Sequence, residues 1–415
     1  MMERAQETGA DARPDIGFDH SSAAVMGDPY PLYRRMQAEC PVNWSSAYGG
    51  FWVAGSYAAV VDVAMNHKIF SSTDGAGIPR GAYVPLFPIH LDPPRQTGFR
   101  KILNPRFSAD AVERWRAPFA AEMHRLIDGF EARGRVELAS ELFLEAPLAA
   151  VLPLIGVPRT RIRELREWIA ASLRGRADMD KARAAQLQIR DYLLALIAER
   201  RAAPKGDDVL GDLIDAELAG APLSDDDIYR TLTIILFGGL DTTTAAMLEG
   251  ARHLAAHPED VARLAADPAL WPDAVEEFVR FTSPTQGAAR TLLADTEAGG
   301  FAMRKGEKIM MLLAAANHDP AKYPDPGKVE IDRCPVDHVA FGRGAHLCLG
   351  RNLARLEITE GLRILFSRLP DIRIDSDARL EYWVNETRSL IALPAHFAPR
   401  TPAATARSHP TDGDQ

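Results

Sequence analysis

Apolar residues recur at helical spacing in several parts of this chain, and this pattern predicts amphipathic helices. The predicted helices cover residues 109–133, 161–175, 181–203 and 224–257, and a further helix follows Leu349 to about Leu369. In the centre of the 224–257 helix, apolar residues lie around most of the circumference, which predicts that this helix is buried. Ser224 and Asp227 at its start resemble a capping box. Alternating runs predict strands near residues 50–54, 372–374 and 380–384.

The two ends of the chain carry no such pattern. Residues 1–28 and 399–415 are predicted to be flexible, and residues 29–398 to form a single domain. The strands near Trp44 and Phe51 are expected to pair with strands far along the chain. The sequence shows no repeat, no low-complexity segment and no interdomain linker.

Composition narrows the class of protein. The chain has 415 residues, 47% of them hydrophobic and 25% charged, which are the proportions of a globular protein. A net charge of −9 argues against nucleic-acid binding as the main role. The 3 cysteines are too few for a disulfide framework, the N-terminus has no apolar signal core, and prolines interrupt the most apolar run, 142–157. These features predict a cytoplasmic protein that does not span a membrane.

The stretch from Phe341 to Gly350 concentrates the candidate chemistry. It holds glycines, His346 and Cys348, and a helical pattern follows at once. Glycines allow tight turns and a close approach to a flat ligand. A cysteine at a helix entrance is expected to be more acidic than a free thiol, and its thiolate is a metal ligand. Without a second cysteine or a histidine pair nearby, the stretch suits axial ligation of haem iron rather than tetrahedral zinc. The alternative is a buried structural cysteine.

The spacing of this stretch resembles the cysteine-ligand loop of the cytochrome P450 superfamily, the haem-thiolate monooxygenases. The resemblance extends from about Pro29 to Pro394 and fits the soluble bacterial type. It implies a mainly α fold with a smaller β-rich lobe (α+β), with haem b between the long central helix and the cysteine loop. In such a fold Cys348 is the iron ligand, and Phe341 and Gly350 contact the cofactor.

The centre of the long helix has an unusual composition. Gly238 and Gly239 each cost about 1 kcal/mol relative to alanine, and a buried Asp241 costs more unless it is paired. Helix packing would explain the glycines, and a distant arginine would explain the aspartate. The segment resembles the acid–alcohol pair of the family. The resemblance implies that Gly238 leaves room beside the haem, that Thr242 donates to dioxygen and that Asp241 relays protons. A local opening of the helical hydrogen bonds at the glycines is expected to hold water.

Further residues match the haem-carboxylate contacts of the family. The helix that begins after Asp92 places Gln96 and Arg100 on one face at i, i+4. A guanidinium binds a carboxylate through two hydrogen bonds. The resemblance implies that Gln96, Arg100, Arg290 and His346 bind the haem propionates. The alternatives are a solvated helix face and a histidine that packs in the loop.

Glu277 and Arg280 share a helix face at i, i+3. On their own they predict an ordinary surface pair, but they resemble the Glu-x-x-Arg motif of the family, which Arg333 completes. The resemblance implies a buried network that supports the cysteine loop and takes no part in the reaction. Glu276 is an alternative partner for Arg280 at i, i+4.

The segment 71–91 is rich in glycine and proline, yet it carries apolar side chains. This combination indicates a packed loop or one that closes a pocket, and in the resembled family the segment caps the substrate cavity. The polar turn 385–387, together with Gln286, predicts a substrate that bears a polar group. The candidate substrate contacts are Tyr83, Val84, Leu86, Phe87, Ile234, Phe237, Gln286 and Thr387.

The implied reaction inserts one oxygen atom of O2 into a small or medium organic substrate by hydroxylation, epoxidation or dealkylation. The chain has no flavin or dinucleotide fingerprint, so electrons are expected from a ferredoxin-type donor with its NAD(P)H-dependent reductase. Lys101, Arg106, Arg343 and Arg351 are candidate contacts for that donor. A monomer is expected. The alternatives are a peroxide-driven haem peroxygenase and a non-enzymatic haem sensor.

Overall fold

The computed structural model describes residues 13, 15–79, 85–173, 179–204, 206–335, 337–384 and 387–400. Tyr83 and Val84, two of the predicted substrate contacts, lie outside the described residues. The helices are α1 (Ala23–Gly27), α2 (Tyr30–Glu39), α3 (Tyr57–Met65), α4 (Arg95–Leu103), α5 (Ala109–Glu113), α6 (Arg116–Asp128), α7 (Leu148–Leu154), α8 (Ile162–Leu173), α9 (Met179–Arg201), α10 (Val209–Asp215), α11 (Asp225–Gly238), α12 (Asp241–Ala256), α13 (Pro258–Ala266), α14 (Trp271–Thr282), α15 (Leu313–Asn317) and α16 (Arg351–Arg368). The strands are β1 (Val42–Ser45), β2 (Phe51–Ala54), β3 (Phe70–Ser71), β4 (Arg135–Glu137), β5 (Glu217–Leu218), β6 (Ala221–Pro222), β7 (Ala288–Leu292), β8 (Thr296–Ala298), β9 (Phe301–Met303), β10 (Lys308–Met311), β11 (Arg373–Ile374), β12 (Tyr382–Val384), β13 (Arg388–Leu390) and β14 (Pro394–His396).

The helices form the larger part of the body, as predicted. One apolar cluster joins α6, α12, α14 and α16 through almost fully buried residues that include Phe119, Leu248, Phe278 and Leu362. A second cluster joins α9, α10, α11 and the start of α16. Because α16 begins directly after the cysteine loop, these clusters fix that loop relative to the central helices.

A five-stranded sheet with the order β1-β2-β10-β7-β3 forms the centre of the smaller β-rich part. Strand β2 pairs in parallel with β10, with Trp52 opposite Ile309. This pairing confirms the expectation that the N-terminal strands join strands far along the chain. Strand β7 runs antiparallel to β10 and places Arg290 opposite Ile309.

The central helix, predicted over 224–257, opens locally at its glycines, as expected. Helix α11 begins with the predicted Ser224–Asp227 capping box and ends at Gly238, and α12 starts at Asp241. The two adjacent glycines explain why the helix opens at this point, since each weakens helix propensity by about 1 kcal/mol. The stretch 225–256 is apolar and long enough to cross a membrane, but 61% of its apolar window is buried, as in a core helix.

The N-terminal boundary also differs from the prediction. Residues 15–28 were expected to be flexible, but Phe18 is fully buried and packs edge-on against Phe51 at a ring distance of 6.3 Å. The N–H of Ile16 donates to the carbonyl of Trp44 at 3.0 Å. At the other end, the N–H of Arg400 donates to the carbonyl of Glu131 at 3.0 Å. These short segments have no periodic pattern, so the sequence gives no sign that they are packed.

Candidate functional site

The cysteine loop, residues 341–350, is shaped by its own backbone. The N–H of Cys348 donates to the carbonyl of Phe341 at 2.7 Å. Gly342 and Gly344 adopt φ angles of +70° and +66°, which favour glycine. A Cβ added to Gly344 would lie 2.7 Å from the carbonyl oxygen of Ala64 in α3. The loop therefore needs glycine at position 344 to pack against that helix.

Side chains from two helices fix the loop from outside. Gln96 and Arg100 of α4 both donate to main-chain carbonyls of the loop, Arg100 to that of Leu347 at 2.8 Å. From α16, Arg351 donates to the carbonyl of Cys348 at 3.1 Å. The predicted i, i+4 spacing thus brings Gln96 and Arg100 to the same loop.

The Cys348 thiol does not have the acidity expected from its position. Burial raises the pKa of Cys348, and the Gly350 N–H and nearby arginines offset only part of that effect. The expectation of an acidic thiol is therefore wrong for the protein without a metal. A metal ion deprotonates a coordinating thiol outright.

Among the described residues no group of three or more His, Cys, Asp or Glu could hold a metal ion. A single sulfur fits an iron whose other ligands come from a porphyrin.

Two arginines and a histidine form a cluster of hydrogen-bond donors at this loop. Arg290 on β7 is only 6% exposed, and burial lowers its pKa to about 10 although Asp92 lies nearby. Burial, together with the charges of Arg290 and Arg100, lowers the pKa of His346 to about 3. The His346 ring lies 3.1 Å from the Ser72 hydroxyl. The structure thus brings together Arg100, Arg290 and His346, and these donors fit a ligand that carries carboxylates.

The break in the central helix carries the predicted oxygen-handling residues. Gly238 is exposed, and a Cβ added there would meet nothing within 4 Å; the same holds for Gly350. The Thr242 hydroxyl donates to the carbonyl of Gly238 at 2.8 Å. Asp241 and Thr242 are half-buried, whereas Thr243 is buried. Both glycines that were predicted to contact haem therefore have space beside them, and the accessible side of the break carries the acid and the alcohol.

Glu277, Arg280 and Arg333 form a network on the cysteine side. The Glu277 and Arg280 side chains are 0% exposed, with N–O distances of 2.7 and 2.8 Å. Arg333 donates to Glu277 at 3.0 Å. Arg280 also donates to the carbonyls of Asn317, Pro326 and Lys328. Of the two candidate glutamates, Glu277 is therefore the partner of Arg280.

Glu276 has a different contact, which the sequence did not reveal. Arg355 of α16 donates to its carboxylate at 2.5 and 2.8 Å, and the ring of His338 lies 3.1 Å away. Burial opposes ionisation, but these hydrogen bonds outweigh it and lower the pKa of Glu276 to about 2. Arg355 also lies over the ring of Phe341, 4.9 Å from its centroid. The partners are 79 positions apart, so no local pattern could have indicated them.

Two predicted substrate contacts have structural contacts instead. The Gln286 amide accepts from the Tyr33 hydroxyl at 3.2 Å and donates to the Ser283 carbonyl at 2.8 Å. Phe87 is buried against Phe99 at a ring distance of 5.6 Å. The structure therefore does not support a substrate contact for Gln286 or Phe87. An amide and an apolar ring serve packing as readily as recognition, so their residue types could not distinguish the two roles.

The other described candidates remain compatible with the prediction. Ile234 and Phe237 are half-buried on α11 beside Gly238, and Leu86 is half-buried in the loop before α4. Thr387 forms an isolated β-bridge with Thr285.

Two of the basic residues predicted to contact the electron donor lie close to carboxylates of the chain itself. Arg106 forms ion pairs with Asp207 and Asp212, both at 2.5 Å, so the prediction that it is available to a partner is wrong. Arg343 lies 3.6 Å from Asp337.

A mainly α body with a small sheet, a half-buried cysteine on a glycine loop and a broken helix in the core define a haem-thiolate protein. The family model for cytochrome P450 matches residues 167–267 and 270–369. The steroid C26-monooxygenase of Mycolicibacterium smegmatis is 33% identical over 397 residues, which cover 94% of this chain and 98% of that protein. The cytochrome P450 monooxygenase PikC of Streptomyces venezuelae is 30% identical over 408 residues, which cover 95% and 97%.

A solved cytochrome P450 structure has the same fold. The structure of Mycobacterium marinum cytochrome P450 CYP268A2 in complex with pseudoionone superposes with a TM-score of 0.84 at 28% identity, and covers 93% of this chain and 100% of that one. The chain belongs to the cytochrome P450 family. It is an oxidoreductase of the monooxygenase type that binds haem b.

Proposed function

We propose that this cytochrome P450 inserts one oxygen atom of O2 into a small or medium organic substrate, with Cys348 as the iron ligand. The observation that carries the proposal is the break in the central helix. There Gly238 leaves open space, and the Thr242 hydroxyl is held by a 2.8 Å hydrogen bond to the Gly238 carbonyl. Haem supplies the oxygen-activating chemistry when bound. Thr242 holds a proton at the break, and Asp241, the adjacent acid, replaces it from outside.

Arg100, Arg290 and His346 hold the cofactor carboxylates in this proposal, with Gln96 orienting the loop. The support is the burial of Arg290, whose guanidinium donates to the carbonyl of Ala289. Burial lowers the pKa of Arg290, and the nearby acid Asp92 offsets only part of that effect. A buried guanidinium is stabilised by a second carboxylate. Phe341 and Gly350 contact the cofactor from the cysteine side.

The substrate is proposed to carry a polar group near the bridge between Thr285 and Thr387. The Gln286 amide already bonds to Tyr33 and Ser283. The hydroxyls of Thr285 and Thr387 are therefore the groups proposed to bind the polar group of the substrate. Electrons come from a ferredoxin-type donor with its NAD(P)H-dependent reductase, in the cytoplasm. The donor docks on the cysteine side, where Lys101, Arg343 and Arg351 remain candidate contacts.

The test is Thr242→Ala in the haem-loaded enzyme, with a substrate found by library titration that follows the haem absorption. Product per NAD(P)H is expected to fall about a hundred-fold, with reducing equivalents released as peroxide, because the proton donor at the break is lost. Thr231→Ala is the matched control, since its hydroxyl makes the same 2.8 Å bond to the carbonyl four residues earlier, away from the break.

Equal coupling in wild type and Thr242→Ala would contradict the proposed role of Thr242, and no product from either protein would favour a haem sensor. Peroxide-driven turnover that exceeds reductase-driven turnover would favour a peroxygenase.

A further inference from the structure

The hairpin of β12 and β13 packs on the half of the central helix that follows the break. Leu390 of the hairpin lies in the same buried cluster as Leu248 and Ala251 of α12, and the ring of Tyr382 packs against that cluster. Strands β12 and β13 pair in register, with Tyr382 opposite Leu390. The candidate substrate contact Thr387 directly precedes β13, and residues 385 and 386 of the predicted polar turn lie outside the described residues. A displacement of the hairpin on α12 would therefore displace that contact.

A buried polar contact fixes the hairpin to the helix. Glu249 of α12 is 8% exposed. One of its carboxylate oxygens accepts from the Tyr382 hydroxyl at 2.7 Å, and the other accepts from Arg252 at 2.7 Å. A hydrogen bond to a buried charged group is stronger than one between neutral groups, so this contact holds the hairpin more tightly than apolar packing alone.

The same tyrosine ring also supports the cation next to Thr387. The guanidinium of Arg388 lies 3.4 Å from the centroid of the Tyr382 ring, and it donates to the carbonyl of Gly27 at 3.1 Å. The Arg388 N–H donates to the carbonyl of Pro284 at 2.8 Å, beside the bridge between Thr285 and Thr387. Tyr382 thus links Glu249 to the backbone that carries both threonines.

Glu249 lies seven positions after Thr242 on the same helix. Seven residues make almost two helical turns, so the two side chains share one face, about 10 Å apart along the axis. The hairpin is therefore attached to the face of α12 that presents Thr242.

We propose that Tyr382 is a positioning residue, which sets the distance between the Thr242 face of the central helix and the Thr285–Thr387 bridge. This inference rests on the proposed function, because it takes Thr387 to be a substrate contact. In consequence Tyr382 determines how a ligand that reaches beyond the iron is held, and it does not affect ligation of the iron itself.

The experiment is Tyr382→Phe in the haem-loaded enzyme, titrated with imidazole and with 4-phenylimidazole while the haem absorption is followed. Both probes ligate iron through a ring nitrogen, but only the second extends a phenyl group into the substrate space. The Kd of 4-phenylimidazole is expected to rise by up to about five-fold, the factor that corresponds to the free energy of the one hydrogen bond lost between hairpin and helix. The Kd of imidazole is expected to change less than about two-fold.

Tyr57→Phe is the matched control, because its hydroxyl donates to the Asp337 carbonyl at the same 2.7 Å. The same hydroxyl accepts from Arg343 at 3.5 Å, and no hydrogen bond within the described part of the chain joins it to α12. It should leave both Kd values unchanged. Unchanged 4-phenylimidazole binding in Tyr382→Phe would overturn the inference, as would an equal loss for both probes or the same loss in Tyr57→Phe. The titration needs no turnover, so these results are independent of the Thr242 test, and either proposal can fail without the other.

Discussion

The cysteine side and the substrate side of the proposed haem site are held by different kinds of contact. On the cysteine side, Glu277 and Arg280 are 0% exposed and form an ion pair, and Arg280 reaches three further carbonyls. On the substrate side, Gln286 makes neutral hydrogen bonds and Thr387 forms a β-bridge, whereas the charged contacts of Glu249 and Arg388 hold the hairpin of β12 and β13 and not these two side chains. Buried charged contacts cost much more to break than neutral ones. The scaffold for the common chemistry is therefore rigid, and the surface that selects the substrate is easier to change.

The largest effect is expected for Glu277→Gln. The variant leaves Arg280 buried with its full charge and only a neutral partner, so the free energy of unfolding should fall by about 3–5 kcal/mol. Denaturant unfolding of the haem-loaded protein measures this loss. The matched control is Asp325→Asn, which removes the charge from a pair with Lys328 whose side chains are 68% and 69% exposed. That change should cost less than about 1 kcal/mol. Similar losses in the two variants would contradict the difference between buried and exposed pairs.

A smaller and pH-dependent effect is expected for Glu276→Gln. The pKa of Glu276 in the folded protein is about 2, against an ordinary value of 4.5. Folding therefore favours the ionised form, and the stabilisation is fully present above about pH 5 and is lost as the pH falls toward 2. Wild type should exceed the variant by about 2–3 kcal/mol at pH 7, and the difference should shrink at pH 3. Unfolding curves at the two pH values check this; a difference that does not change with pH would contradict it.

The sequence predicted best what depends on spacing within one helix. The Gln96 and Arg100 pair, the Ser224–Asp227 capping box and the Glu277–Arg280 pair all follow from residues three or four positions apart. Contacts between distant segments were not predictable in this way. Arg280 is the arginine nearest in sequence to Glu276, yet Glu276 pairs with Arg355, because α14 and α16 meet only in the folded core.

The opening of the central helix at Gly238 and Gly239 was predicted, because two adjacent glycines weaken a helix locally. One other miss has a different physical cause. The acidity of Cys348 was inferred from its place at a helix entrance, and burial, which the sequence does not show, had the larger effect on its pKa.

The smallest effect is expected for Gln286→Leu. If Gln286 only packs, the variant loses its hydrogen bonds to Tyr33 and Ser283, and the free energy of unfolding should fall by about 1 kcal/mol. The set of compounds that shift the haem absorption should stay the same. Unfolding curves and a library titration measure the two quantities on one preparation. If that set changed while stability did not, Gln286 would be a substrate contact after all. The polar-substrate proposal would then shift from the threonines to this amide, because a site built to bind a polar group discriminates most strongly through the side chain that would otherwise be left unpaired.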